Sequence, residues 1–415
     1  VQLIESATGF HVFSRSFETE LTDHMDVQRE ITKLVVANLR VALPGDTSTE
    51  FVAGDNETDP DAYIRYKQGA ALLDEPPTSE LLVRAVDLFE QSLSVDPAYA
   101  AAYAGICRAH VLAYELKKDP GGITAAERAC SDALNANPNL DVVYTALGNL
   151  RQSMGDFGNA ASAYQNALQL NPNNVAATLG MADVLQARNE LVEAERLLRQ
   201  AIDLQPGSWR NINHLGALYF FSGRYAEAAH SYRQVVFLDP GNWLGSGNLG
   251  SALMMTGDFN DAIEPLNKAL SIRDDAYFRS SLGAAYYYLG EFDRSVEMYR
   301  RATELMPEAN FVWSNLGDAL RFSSQAARAN EAYLEAIRQS TALLEVDPSS
   351  AFDLMVKAWA TAASGDSEQA QTLIARAIEL APNDPYVLYY NGLFKYAVGE
   401  KPAALDALGA AGEMG

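Results

Sequence analysis

Through most of the chain, apolar residues return at i, i+3, i+4 and i+7 in short stretches. Each stretch closes on a Gly or on a Pro. The stretches fall into pairs, and the pairs recur. Four consecutive ones read "YTALGNLRQSMGDFGNAASAYQNALQLNPNN", "INHLGALYFFSGRYAEAAHSYRQVVFLDPGN", "SGNLGSALMMTGDFNDAIEPLNKALSIRDD" and "RSSLGAAYYYLGEFDRSVEMYRRATELMPEA". Each carries Leu-Gly, a second Gly later, an aromatic two positions beyond it, and usually a closing Pro. The period is about 34 residues, which marks a repeat array rather than a single globular core.

The spacing predicts two amphipathic helices per repeat. Helix A is represented by Tyr144, Leu147, Gly148 and Leu150, and helix B by Ala160, Tyr164, Ala167 and Leu170. The small Leu-Gly and Ala positions let the two helices approach closely. Gly155, Gly223, Gly257, Gly290, Gly365 and Gly399 stand where helix A needs a left-handed C-cap. Pro138, Pro172, Pro206, Pro240, Pro307, Pro348 and Pro382 stop helix B.

These residues resemble the tetratricopeptide repeat family over 62–415. The resemblance implies an all-α fold, a right-handed superhelix (α-solenoid) of about ten helix-turn-helix units. The units are placed at 62–99, 100–140, 141–174, 175–208, 209–242, 243–275, 276–309, 310–350, 351–384 and 385–415. Extra residues fall around "LLDEPPTSE" in the first unit, "ELKKDPGG" in the second and "IRQSTALLEV" in the eighth. The last of these is expected to lengthen helix B.

Residues 1–45 read differently. "VQLIES" and "FHVFSRSFE" read as a short β-hairpin, followed by a helix through "VQREITKLVVANLRVAL". This segment resembles the end of the TolB-like domain that precedes tetratricopeptide arrays in bacterial signalling proteins. That resemblance implies a fragment of a longer protein with an effector upstream. Residues 46–61 hold Asp46, Glu50, Asp55, Glu57, Asp59 and Asp61 without a basic residue, and read as an acidic linker. Asn56 opens an "NET" glycosylation pattern.

The net charge of -23 opposes nucleic-acid binding, which needs a basic face. No apolar run is long enough to insert this chain in a membrane. His11, His24, His110, His214 and His230 are scattered, with no metal-ligand spacing. No catalytic site, metal site or cofactor site is assembled, so the chain is expected not to be an enzyme. Cys107 and Cys130 lie on the two helices of one repeat. They are either two small buried thiols or a disulfide, the latter implying an oxidising compartment.

In the resembled family the concave face is lined by helix A positions two, five, six, nine, twelve and thirteen. The last two read Phe220 and Phe221, Met254 and Met255, Tyr287 and Tyr288, then Arg321 and Phe322. Tyr277, Phe311, Trp359, Tyr386, Tyr389 and Tyr396 extend the trend. Neighbours on a helix diverge by about 100°, so at least one of each pair faces away from the core stripe. The other reading is that one of each pair packs between A helices. His214, Asn248, Ser281 and Asn315 occupy position six, where Asn in some relatives holds a peptide backbone. The carboxylate clamp of chaperone-binding relatives is not reproduced, with Thr145, Asn149, Ala176 and Gly180 at matching positions. Trp209 and Trp243 read as packing across unit boundaries.

The expectation is therefore a non-enzymatic scaffold that binds a protein or peptide in the groove. One alternative is a sensory or regulatory region of a bacterial receptor, and the compartment is expected to be periplasmic or otherwise extracytoplasmic, with cytoplasmic as the alternative. Another is a self-assembling structural protein, a homo-oligomer built through the N-terminal hairpin or the C-terminal unit.

Overall fold

The computed structural model of the protein describes residues 2–4, 11–14, 58–74, 77–397 and 399–414. Strands β1 (Gln2–Ile4) and β2 (His11–Ser14) pair antiparallel. The helix expected through residues 27–43 and the glycosylation pattern at Asn56 lie outside the described residues. Everything else described is helical or a connecting turn, an all-helical solenoid of the tetratricopeptide type.

Two compact units divide the chain at Asn211 and Ile212. The first holds α1 (Pro60–Leu72), α2 (Ser79–Val95), α3 (Ala100–Lys117), α4 (Pro120–Ala136), α5 (Asp141–Ser153), α6 (Phe157–Leu170), α7 (Val175–Ala187) and α8 (Leu191–Leu204). Helix α9 (Trp209–Phe221) spans the division. The second continues with α10 (Tyr225–Leu238), α11 (Trp243–Thr256), α12 (Phe259–Ile272), α13 (Ala276–Tyr288), α14 (Phe292–Leu305) and α15 (Asn310–Phe322). It ends with α16 (Ala329–Val346), α17 (Ala351–Ala363), α18 (Ser367–Leu380), α19 (Pro385–Ala397) and α20 (Lys401–Met414). Within each unit every helix packs on its successor, and the A helices of successive repeats touch as well.

Local chemistry sets these bounds. Side chains of Thr78, Asp156, Asn174, Asn242 and Asp366 accept the backbone N–H three residues on and start their helices. Helices α6, α8, α10, α14, α16 and α18 end two residues before a Pro, because Pro disfavours helical backbone in the residue preceding it. All six glycines expected as C-caps have positive φ, from 76° to 104°. In the fourth repeat Asn189 takes that place, at φ 61°.

Two expectations are corrected, and the extra residues of the second repeat are placed. Helix α1 starts inside the stretch read as linker, because Asp59 caps it by accepting from the Asp61 N–H at 2.9 Å. The extra residues of the second repeat enter helix rather than loop: α3 has 18 residues and α4 has 17. Leu170, placed on the apolar stripe of helix B, is 44% exposed. Helix α16 does lengthen, to 18 residues against 14 in α14.

The core is a row of rings set into glycine gaps. Tyr164 on α6 is fully buried. A methyl group on Gly148 would lie 2.4 Å from its ring, and one on Gly180 2.3 Å. One ring thus fills a hollow in its own repeat and one in the next. Phe89 does the same between Gly69 and Gly105. Burying a side chain of this size contributes roughly 1.5–3 kcal/mol. The Tyr164 hydroxyl lies 2.7 Å from the side-chain oxygens of Asn149 and Gln152, so its polar end is satisfied. Cys107 and Cys130 form a disulfide that joins α3 to α4.

Candidate functional site: an aromatic face on the A helices

Positions two, six, nine and thirteen of an A helix are spaced by four, three and four residues, so they share one face. In the second compact unit that face carries Tyr277, Ser281, Ala284 and Tyr288 on α13. On α15 it carries Phe311, Asn315, Asp318 and Phe322. Position twelve falls to the side. This offset separates the members of three predicted pairs, while in the fourth both Arg321 and Phe322 are exposed. Phe220, Met254 and Tyr287 are half-buried, whereas Phe221, Met255, Tyr288 and Phe322 are 76%, 41%, 55% and 56% exposed.

The half-buried residues lean on the start of helix B in their own repeat. Phe220 meets Tyr225 edge-on at 5.4 Å, and Tyr287 meets Phe292 at 5.5 Å. The exposed residues lean back on the repeat before. Tyr288 stacks on Phe259 at 4.7 Å, and Phe322 lies 5.4 Å from Phe292. Phe292, which follows the Gly turn, thus meets Tyr287 of its own repeat and Phe322 of the next. A second row forms at the helix starts, where Phe352 contacts Phe311 at 6.2 Å and Tyr386 at 4.9 Å.

Between the rows lies a polar cluster. The Tyr333 hydroxyl donates to Asp318 Oδ1 at 2.7 Å. The Trp359 indole N–H donates to both carboxylate oxygens, at 3.1 and 3.0 Å. Burial raises the Asp318 carboxyl to about 6, against the pull of these two donors and of Arg321. The Tyr386 and Tyr390 hydroxyls meet at 3.2 Å, and the Trp359 ring is edge-on to Tyr390 at 6.1 Å. Tyr386 is 36% exposed, yet desolvation pushes its phenol up to about 12. Tyr288 on α13 and Tyr389 on α19 lie within side-chain hydrogen-bonding reach of each other.

The predicted polar row at position six is not a free row. Asn248 donates to Asn213 Oδ1 at 3.0 Å on the neighbouring A helix. The Ser281 hydroxyl lies 3.0 Å from that of Ser251. His214 is half-buried and has a partner of its own. Asn315 is half-buried. Trp243 packs across a repeat boundary as expected, edge-on to Phe278 at 5.8 Å, with the Arg273 guanidinium 4.5 Å from its ring centre. Trp209 carries Arg210 at 4.7 Å.

Sequence reasoning missed Asp318, Tyr333 and Tyr390. The signal was present for two of them, since Asp318 and Tyr390 occupy positions nine and six of the lining set. Among the described residues no group of three His, Cys, Asp or Glu side chains could hold a metal ion. No described helix is long and apolar enough to cross a membrane.

A putative adenylate cyclase 3 of Rhizobium meliloti (strain 1021) is 32% identical over 108 residues, 25% of this chain. The chain spans 18% of that relative's length. A thermophilic TPR protein of Thermus thermophilus is 19% identical, with 43% of this chain and 98% of that one covered and a TM-score of 0.38. YrrB, a TPR protein with an unusual peptide-binding site, is 19% identical over 44% of this chain and 95% of its own, with a TM-score of 0.36. Two tetratricopeptide repeat family models match, one at 151–218 and the other at 215–277 and 281–350. They leave residues 1–45 uncovered and lend the TolB-like resemblance no support. From the Gly-capped helix pairs and the family matches together, residues 151–277 and 281–350 are tetratricopeptide repeats.

Proposed function

We propose that the chain is a non-enzymatic interaction scaffold that binds a polypeptide along the aromatic face of its A helices. The observation that carries this reading is the exposure of Phe221, Tyr288 and Phe322, one from each of three repeats, at one helical position. Large accessible aromatics at a repeated position are anchors for a partner, because they bury much apolar area at little entropic cost. Tyr hydroxyls on this face add donors and acceptors for a peptide backbone. The test is a Phe221→Ser, Tyr288→Ser, Phe322→Ser variant, panned beside wild type against a random dodecapeptide library displayed on phage. Peptides enriched on wild type and lost from the folded variant support the reading. Equal retention by both would overturn it.

A second reading is favoured by the disulfide between Cys107 and Cys130. Such bonds persist in oxidising compartments. Together with the similarity to part of a putative adenylate cyclase, this supports an extracytoplasmic regulatory region of a bacterial signalling protein, with the effector elsewhere in a longer chain. Trapping free thiols by alkylation in intact cells tests it, and finding both cysteines reduced would sink it.

A further inference from the structure

Asp318 is a carboxylate held in an aromatic setting by neutral donors alone. Tyr333 and Trp359 supply its hydrogen bonds. Among the described residues no Lys, Arg or His forms an ion pair with it, and Arg321, one turn along, acts through its field only. Tyr287 and Tyr390, from α13 and α19, lie within its electrostatic reach, and the Tyr390 ring is edge-on to that of Trp359 at 6.1 Å.

Neutral hydrogen bonds offset only part of the cost of desolvating a carboxylate. A cation arriving on the open side would offset the rest, and ring faces around it add cation–π attraction. The wider field has the same sign. With a net charge of -23 the chain attracts basic segments and repels a second copy of itself.

We infer that Asp318, with Tyr287, Trp359 and Tyr390 around it, is a subsite for one Lys or Arg side chain of a basic polypeptide lying along the aromatic face. The inference rests on the proposed groove and names the chemistry of its partner. Apolar side chains of the ligand would meet Tyr288 and Phe322 while the cation enters between the rows.

The dodecapeptide library provides the test. Peptides enriched on the full chain are expected to share a Lys or Arg. One of them, made with norleucine in place of that Lys or citrulline in place of that Arg, should bind about tenfold more weakly to wild type. Asp318→Asn should lower binding of the charged peptide by a similar factor and leave the neutral one unchanged. Asp261→Asn, on the exposed side of α12, is the control for diffuse charge. Two results would overturn the subsite and leave the groove standing. One is neutral enriched peptides that depend on Tyr288 and Phe322 but not on Asp318. The other is equal losses with Asp318→Asn and Asp261→Asn. Enrichment that depends on none of these residues would overturn the subsite and the groove together. Because the peptide is altered as well as the protein, a poorly folded Asp318→Asn would not prevent a decision.

Discussion

Trp359 on α17 donates its indole N–H to both carboxylate oxygens of Asp318 on α15, linking two consecutive A helices through a buried charge. The arrangement has a pH signature. Burial places the Asp318 pKa at about 6 in the folded chain, above the ordinary 3.8. The folded state therefore holds this proton more tightly than the unfolded state does. Below the ordinary value both states are protonated and the group is neutral to stability. As pH rises from about 4 to about 6 it becomes destabilising, by on the order of 3 kcal/mol, and the penalty persists above. The facing tyrosines are silent in this window: Tyr287, Tyr299, Tyr333 and Tyr390 stay protonated, and Arg321 only pulls the Asp318 value down. Asp318→Asn should remove the dependence. The difference in melting temperature between variant and wild type should move in the variant's favour from pH 4 to pH 7, and a constant difference would refute the assignment.

Gly180→Ala should be among the more damaging single changes in the first unit. Its methyl group would lie 2.3 Å from Tyr164 Cζ, and that ring is already pinned against Gly148. Overpacking of this kind costs about 1–3 kcal/mol. The second change Tyr164→Leu should cost less in the Gly180→Ala background than in wild type, as read from chemical denaturation. Additive losses would show that the clash is relieved elsewhere.

Breaking the disulfide has a calculable cost. Cys107 and Cys130 are separated by 23 residues. Closing a loop of that size in the unfolded chain is worth about 3 kcal/mol. A Cys107→Ala, Cys130→Ala variant should melt earlier than the oxidised protein and become insensitive to added reductant. An unchanged melt would mean that other contacts hold α3 and α4 together.

Asn189 tests the turn logic. It is exposed, sits at φ 61°, and its N–H bonds to the Gln186 carbonyl at 2.9 Å. Asn tolerates left-handed backbone better than most residues with a side chain. Asn189→Ala should cost about 1 kcal/mol, while Asn189→Gly should be neutral or mildly stabilising. The reverse order in a thermal melt would contradict the cap geometry.

Legibility in the sequence followed the distance over which each feature is determined. Gly155 and Gly257 could be read as left-handed caps because a turn is set by its own few residues. The exposed aromatics were legible as a set, since Phe221, Tyr288 and Phe322 share one repeat position. Separating them from Phe220 and Tyr287 needed the orientation of each helix on its partner. Asn248 looked free because its partner, Asn213, belongs to another helix. Asp318 was harder still. In "NLGDAL" it resembles any solvated carboxylate, and what encloses it comes from Trp359 in the next repeat and Tyr390 in the one after.

The glycine-seated rings carry a consequence for how such a chain can change. Because Tyr164 occupies one hollow in its own repeat and another in its successor, no repeat in that stretch is self-contained. Excising a repeat leaves one neighbour with an unfilled socket and another with a ring that has lost half its seat, unless the cut runs through the same position of both. Whole repeats can then be gained or lost only when spliced in phase, and a splice one residue out at the ring's seat would bring a side chain where the ring requires none.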